Sequence, residues 1–159
     1  ARRDERPHVD KQKASISAQI LADKKNNDET FISVLCNENF AQICEIANQY
    51  QQVANKSFEE AIIKELGADA EFAALGLYKC ARSRPGYFAE RIHDSVKKGH
   101  SDVLLRICGG REDKDLSAIK DEFQNRYHTP LPTFVMDNIK DKKQVVARDV
   151  SMALILKAR

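Results

Sequence analysis

The apolar residues of this 159-residue chain follow one order twice, at positions 73 apart. Three of the aligned pairs are Ile43 with Leu116, Ile46 with Ile119, and Phe58 with Leu131. A sequence that repeats itself over such a period is typical of proteins built from stacked copies of one supersecondary unit. The sequence therefore predicts two units of roughly seventy residues, joined near residues 83–86 (SRPG).

Within each unit, the apolar residues recur with the period of an α-helix rather than that of a strand. One such stripe consists of Leu116, Ile119, Phe123 and Tyr127. Ser57 followed by Glu60 is typical of a capping box, which begins a helix at Phe58. We therefore expect an all-α fold with five helices in each unit. The predicted helices cover residues 14–24, 29–36, 40–50, 58–66, 70–82, 85–97, 102–108, 113–127, 131–138 and 141–156.

Composition excludes several classes of protein. The 26 Lys and Arg residues nearly balance the 24 Asp and Glu residues, so we expect no nucleic-acid partner. The sequence contains no run of 18 or more apolar residues, which is the length a helix needs to span a bilayer. The four cysteines form no Cys-x-x-Cys pair, which predicts reduced thiols in the core. The four histidines lack metal-binding spacing, and no nucleophile stands in a recognisable catalytic motif, so we expect no enzyme.

Three segments resemble parts of the annexin family. The annexin signature resembles residues 106–119 (RICGGREDKDLSAI). The stretch that links the last two annexin repeats resembles residues 79–92 (KCARSRPGYFAERI). The connector after the second repeat resembles residues 1–10 (ARRDERPHVD). The resemblance covers nearly the whole chain. It implies the C-terminal half of a four-repeat disc, with a connector at residues 1–12, a third-type repeat at 13–84 and a fourth-type repeat at 85–159.

Annexins bind acidic phospholipids through calcium, and the resemblance implies where each repeat would hold the ion. A Gly-x-Gly-Thr loop after the first helix supplies carbonyl oxygens, because glycine lets them turn towards a cation that takes six to eight oxygens. This chain departs from that loop in both repeats. Residues 23–29 (DKKNNDE) contain no glycine, and residues 96–102 (VKKGHSD) contain only Gly99.

The second part of the implied site is a carboxylate that follows the fourth helix of each repeat. Glu65 matches that position in the first repeat, and Asp137 can be aligned to it in the second. Counting from Val135 instead places Asn138 there, so the alignment leaves two alternatives. We therefore expect calcium sites to be lost in this half, with Glu65 and Asp137 as residual ligand positions.

Basic residues stand beside the positions where the glycines are missing. They are Lys24, Lys25, Lys97, Lys98, His100, Lys140, Lys142 and Lys143. The resemblance places these loops on the membrane-facing side, where each lysine near an anionic leaflet contributes about 1 kcal/mol. We predict calcium-independent docking on acidic phospholipid, strengthened at low pH when His100 is protonated.

Two other interpretations stay open. The chain could be a scaffold or cytoskeleton-associated protein without lipid binding, or calcium-dependent binding could reside in repeats upstream of this sequence. The resemblance implies a cytoplasmic protein, peripheral at membranes. It also implies that the chain packs against the missing N-terminal repeats or a second copy, because a half-disc would expose apolar surface.

Overall fold

The computed structural model describes residues 8–23 and 27–158, and all regular structure in those ranges is helical. The α-helices are α1 (Lys11–Ala22), α2 (Asn27–Asn37), α3 (Phe40–Ala54), α4 (Phe58–Glu65), α5 (Ala68–Arg82), α6 (Arg84–Lys97), α7 (Ser101–Arg111), α8 (Leu116–Tyr127), α9 (Leu131–Asn138) and α10 (Val145–Lys157). A 3-10 turn, Lys142–Gln144, precedes α10. The all-α prediction with five helices per repeat is confirmed. None of the described helices has the length and apolarity needed to cross a membrane.

The chain divides into unit 1, Ala1–Ser83, and unit 2, Arg84–Arg159, each with its own core. In unit 1 the rings of Phe31, Tyr50, Phe58 and Tyr78 contact one another, with centroids 5.1 to 6.2 Å apart. In unit 2 Phe123 is fully buried among rings from α6, α8 and α9. The apolar stripe read from the sequence therefore faces the core, as its helical spacing predicts.

Helix α1 begins at Lys11, three residues earlier than predicted, because Asp10 caps it. The Asp10 carboxylate accepts a hydrogen bond from the backbone N–H of Lys13 at 2.9 Å. Gln42 of α3, only 2% exposed, holds the backbone of Asp10 in place. Its Oε1 accepts from the Asp10 N–H, and its Nε2 donates to the Asp10 carbonyl, both at 2.8 Å.

Two helix starts in unit 2 were predicted too early. Helix α8 begins at Leu116 rather than at residue 113, because Asp115 forms an i,i+4 ion pair with Arg111 across the preceding turn. Helix α10 begins at Val145 rather than at residue 141. There the Asp141 carboxylate accepts from the N–H of Lys143 and so caps the short 3-10 turn.

None of the four cysteines forms a disulfide, but the prediction that they lie in the core is right only for Cys108. Cys108 is fully buried on α7, whereas Cys36 is exposed and Cys44 and Cys80 are half-buried. Cys36 directly follows the buried Leu35, and adjacent helical positions point in different directions.

Candidate functional site: the helix ends of each unit

The loop between α6 and α7 closes on itself in a Schellman motif. Gly99 has a φ of +77°, a conformation that glycine adopts without strain. The backbone N–H groups of Gly99 and His100 donate to the carbonyls of Val96 and Ser95, at 3.2 and 2.8 Å. The His100 carbonyl accepts from Val103. These carbonyl oxygens are therefore engaged by the chain's own donors.

The ends of α6 and α9 are joined by a side-chain contact. The Lys97 Nζ donates to Asn138 Oδ1 at 2.9 Å and lies 5.3 Å from the centroid of the Phe134 ring. The other end of the Asn138 amide donates from Nδ2 to the Phe134 carbonyl at 2.8 Å. Of the two alternatives for the position after the fourth helix, Asn138 is the one whose side chain contacts Lys97 at the end of α6. Asp137 and Asn138 are both exposed.

The segment between α9 and α10 is likewise held by donors from within unit 2. Arg148 donates from a guanidinium nitrogen to the Ile139 carbonyl at 3.2 Å. The Asp141 carboxylate accepts from the N–H of Lys143 at 3.0 Å, and its carbonyl accepts from the N–H of Gln144 at 2.9 Å. Sequence reasoning missed Arg148 altogether, because no spacing signal relates it to Ile139.

These contacts decide how well this end of unit 2 suits calcium, a hard cation that takes six to eight oxygen ligands. The carbonyls of Ser95, Val96, Ile139 and the Asn138 amide each accept a hydrogen bond from a protein donor, and two of those donors are themselves cations. An ammonium at the meeting point of the two helix ends repels a divalent ion. These oxygens therefore already have donors within the chain, and two of those donors carry positive charge.

Five basic side chains surround these helix ends, and we call them the basic surface. They are Lys98, His100, Lys140, Lys142 and Lys143, all exposed. The two parts of the surface are neighbours, since a methyl group at Gly99 would lie 3.7 Å from Nε2 of Gln144. Asp102, an acid nearby in sequence, is paired with Arg106 at 3.0 Å. The predicted cations of unit 2 thus lie on two neighbouring segments, and among them Lys97 contacts Asn138.

The corresponding end of unit 1 centres on Glu65, the last residue of α4. Glu65 lines a surface cavity of about 170 Å³ together with Ala22 at the end of α1, as well as Lys56 and Lys64. Its Oε1 lies 3.7 Å from the Lys64 Nζ. Burial, and to a smaller extent the negative charge of Glu65, raises the pKa of Tyr50. The carboxylate thus lies beside the end of α1, in the company of two lysines.

Two of the predicted basic residues, Lys24 and Lys25, lie outside the described residues. In the sequence they stand between the end of α1 at Ala22 and the start of α2 at Asn27. The described part of unit 1 therefore includes the Glu65 carboxylate but not the segment with Lys24 and Lys25.

The chain is similar to annexins in sequence and in fold. A family model described as Annexin matches residues 13–77. Annexin A4 of Mus musculus is 31% identical over 154 residues, which cover 92% of this chain and 48% of that protein. Annexin A13 of Canis lupus familiaris is 37% identical over 142 residues, covering 85% and 45%. The solved structure of annexin III superimposes with a TM-score of 0.84 and 26% identity, covering 98% of this chain and 49% of that one. The chain spans about half the length of the curated relatives it matches.

Proposed function

Because the chain belongs to the annexin family, we propose that it is a peripheral membrane protein that binds acidic phospholipid surfaces. Annexins are known for calcium-dependent phospholipid binding and are in general not enzymes. The basic surface of unit 2 carries the proposal for this chain, because it gathers Lys98, His100, Lys140, Lys142 and Lys143 at one end of the unit.

We further propose that type II calcium sites are lost in both repeats of this chain, so that its contribution to membrane binding needs no calcium. In unit 2 the support is the set of protein donors, Lys97 and Arg148 among them, that already bind the oxygens at the helix ends. In unit 1 the support is the glycine-free segment before α2 and the lysines beside Glu65. Glu65 and Asp137 are then residual ligand positions.

The physical basis of lipid binding is the attraction between exposed ammonium groups and anionic headgroups. Each lysine near such a surface contributes about 1 kcal/mol, and salt weakens the attraction over a Debye length of about 10 Å. The acids near the basic surface, Asp102, Asp137 and Asp141, offset part of it. Asp102 pairs with Arg106, and Asp141 caps the 3-10 turn.

Co-sedimentation with phosphatidylserine-containing vesicles, in chelator and at low salt, tests the proposal. The double variant Lys98→Glu/Lys142→Glu reverses two charges of the basic surface. We expect it to lower the vesicle partition coefficient by on the order of tenfold or more, because about 1 kcal/mol is lost for each lysine even before repulsion is counted. Raising the salt concentration should weaken binding of the unsubstituted chain in the same assay.

The matched control is Lys11→Glu/Lys114→Glu, which makes the same change in net charge at exposed positions away from the basic surface. Lys114 follows the opposite end of α7 from His100. We expect this variant to bind nearly as well as the unsubstituted chain. Equal losses in the two variants would contradict a localised docking surface, and no binding at low salt would contradict the proposed function.

A scaffold without lipid binding is the second candidate. It is favoured by Phe72 on α5, whose side chain is 64% exposed. A nearby apolar cavity of about 170 Å³ lies between α2 and α5 and is lined by Ile32 and Leu77 among others. Aromatic side chains are enriched at protein interfaces. This candidate predicts no vesicle binding under any salt condition, so the same sedimentation assay separates the two.

We also propose that the chain packs against a partner, which is either the N-terminal annexin repeats or a second copy of the chain. Helix α10 is apolar on two faces. Ser151 and Ile155 are buried in unit 2, whereas Val146, Val150 and Leu156, which we call the α10 stripe, are 74%, 46% and 67% exposed. A helix that is apolar all round is generally buried. Since the chain spans about half of its relatives, a second copy would restore their length.

The proposed location is the cytoplasmic face of membranes. The four cysteines form no disulfide, and thiols persist in this form in a reducing compartment. We propose no catalytic role for the chain. Burial raises the pKa of the Cys108 thiol to about 12, so the group is neither reachable nor ionised as a nucleophile.

A further inference from the structure

The ends of α6 and α9 meet at a point that attracts positive charge. Helix α6 ends at Lys97 and α9 ends at Asn138. The C-terminal ends of helices carry partial negative charge and present carbonyl oxygens without helical partners. Bringing two such ends together is unfavourable unless a cation lies between them. In this chain the cation is part of the protein.

We propose that the Lys97 ammonium is a tethered cation that joins these two helix ends, so that the basic surface is assembled without a metal ion. This inference rests on the proposed function, since it assigns how the same surface is kept in its binding form. It also separates Lys97 from the other basic residues, because its ammonium is directed at Asn138 rather than at a lipid headgroup.

Three contacts support this assignment of Lys97. Its ammonium donates to Asn138 Oδ1 at 2.9 Å and lies 5.3 Å from the Phe134 ring centroid, within the range of a cation–π interaction. The Asn138 amide is itself fixed by donation to the Phe134 carbonyl. An amide accepts from an ammonium without bringing a negative charge, so Asn138 suits a lysine partner better than a calcium ion.

Arg148 acts beside this bridge on the neighbouring carbonyl. Its guanidinium donates to the Ile139 carbonyl, one residue beyond Asn138, and its side chain is 19% exposed. Two cations of the chain thus hold consecutive residues at the end of α9. The segment that follows, with Lys140, Lys142 and Lys143, is thereby held next to Gly99 and the α6–α7 loop.

Hydrogen–deuterium exchange of the full chain, without vesicles, tests the bridge. In chelator we expect Lys97→Met to speed exchange about three- to tenfold in residues 98–101 and 139–144, the size of effect that loss of one hydrogen bond produces. Lys114→Met removes the same charge from a residue that is exposed like Lys97 but lies outside the basic surface, and it should leave these segments unchanged. Asn138→Ala removes the acceptor and should reproduce the effect of Lys97→Met.

Calcium provides the decisive comparison. We expect added calcium to leave exchange of both segments unchanged in the unsubstituted chain, because the bridge is already made. Slower exchange in calcium, or unchanged exchange in Lys97→Met and Asn138→Ala, would overturn the inference. Since no lipid is present, these results are independent of the vesicle assay, and failure of the bridge is distinguishable from failure of lipid binding.

Discussion

Cys108 and Cys36 carry the same thiol in opposite surroundings, although both stand on the second helix of their units. Cys108 is fully buried on α7, and burial raises its pKa to about 12, more than the Ser151 hydroxyl that hydrogen-bonds it can offset. Cys36 is exposed on α2. Thiolates rather than thiols react with alkylating reagents. The two cysteines should therefore differ widely in reactivity.

We predict that iodoacetamide at pH 8 modifies Cys36 at least tenfold faster than Cys108 in the folded chain. Above the ordinary thiol pKa of 9.0, Cys108 ionises in the unfolded chain but stays protonated in the folded chain. The free energy of unfolding therefore falls as the pH rises from 9.0 towards 12. Peptide mass spectrometry over a time course measures both rates. In denaturant the two cysteines should react alike, and equal rates in the folded chain would contradict the burial of Cys108.

The start of helix α4 sets the position of Glu65, the residue at which the helix ends. It begins at the capping box, in which the Ser57 Oγ accepts from the Glu60 N–H at 3.1 Å and Glu60 Oε2 accepts from the Ser57 N–H at 3.0 Å. Eight residues later it ends at Glu65, beside the end of α1. Because the start of the helix is set by the capping box, the position of the Glu65 carboxylate depends on it.

We predict that Ser57→Ala lowers the free energy of unfolding by about 1 kcal/mol, since it leaves helix N–H groups without an acceptor. For a chain of this size that corresponds to a fall of about 3 °C in Tm, measurable by circular dichroism. Ser33→Ala is the matched control, because Ser33 is exposed inside α2, where alanine favours the helix. A fall of the same size in both variants would contradict a specific role for the cap.

At the scale of the whole molecule, each of the two units has its own cluster of buried residues. Unit 1 is built around Phe31 and Phe58, and unit 2 around Phe123. The residues of the α10 stripe are buried in neither core. Exposed apolar surface of this kind is typical of an interface. The α10 stripe therefore supports the proposal that the chain packs against a partner.

We predict that the sedimentation coefficient of the chain rises with protein concentration. Val146→Glu/Val150→Glu should abolish the rise or shift it to at least tenfold higher concentration, since burying one valine contributes about 1.5 kcal/mol or more. Ile16→Glu changes an equally exposed apolar residue on α1 and serves as the control. A monomer at every concentration would contradict the second copy as partner.

Much of the fold could be predicted because the signals are local. The capping box, the helical stripe at Leu116–Tyr127 and the 73-residue repeat depend on residues near each other in sequence or on a period. The helix starts at Leu116 and Val145 were missed although the contacts that set them are also local, because helix propensity does not distinguish the Arg111–Asp115 ion pair or the Asp141 cap from a continuing helix. Propensity alone does not register such contacts.

The sequence by itself determined the all-α fold, the five helices per repeat, the family and the presence of lysines in the segments that follow the first helix of each repeat. Only the tertiary structure decided what those lysines do, because Lys97 and Asn138 are 41 residues apart in the chain and meet only when α6 packs near α9. The same holds for Arg148 and Ile139. Charge can be counted along a sequence, but whether a cation faces solvent or bridges two helix ends depends on packing.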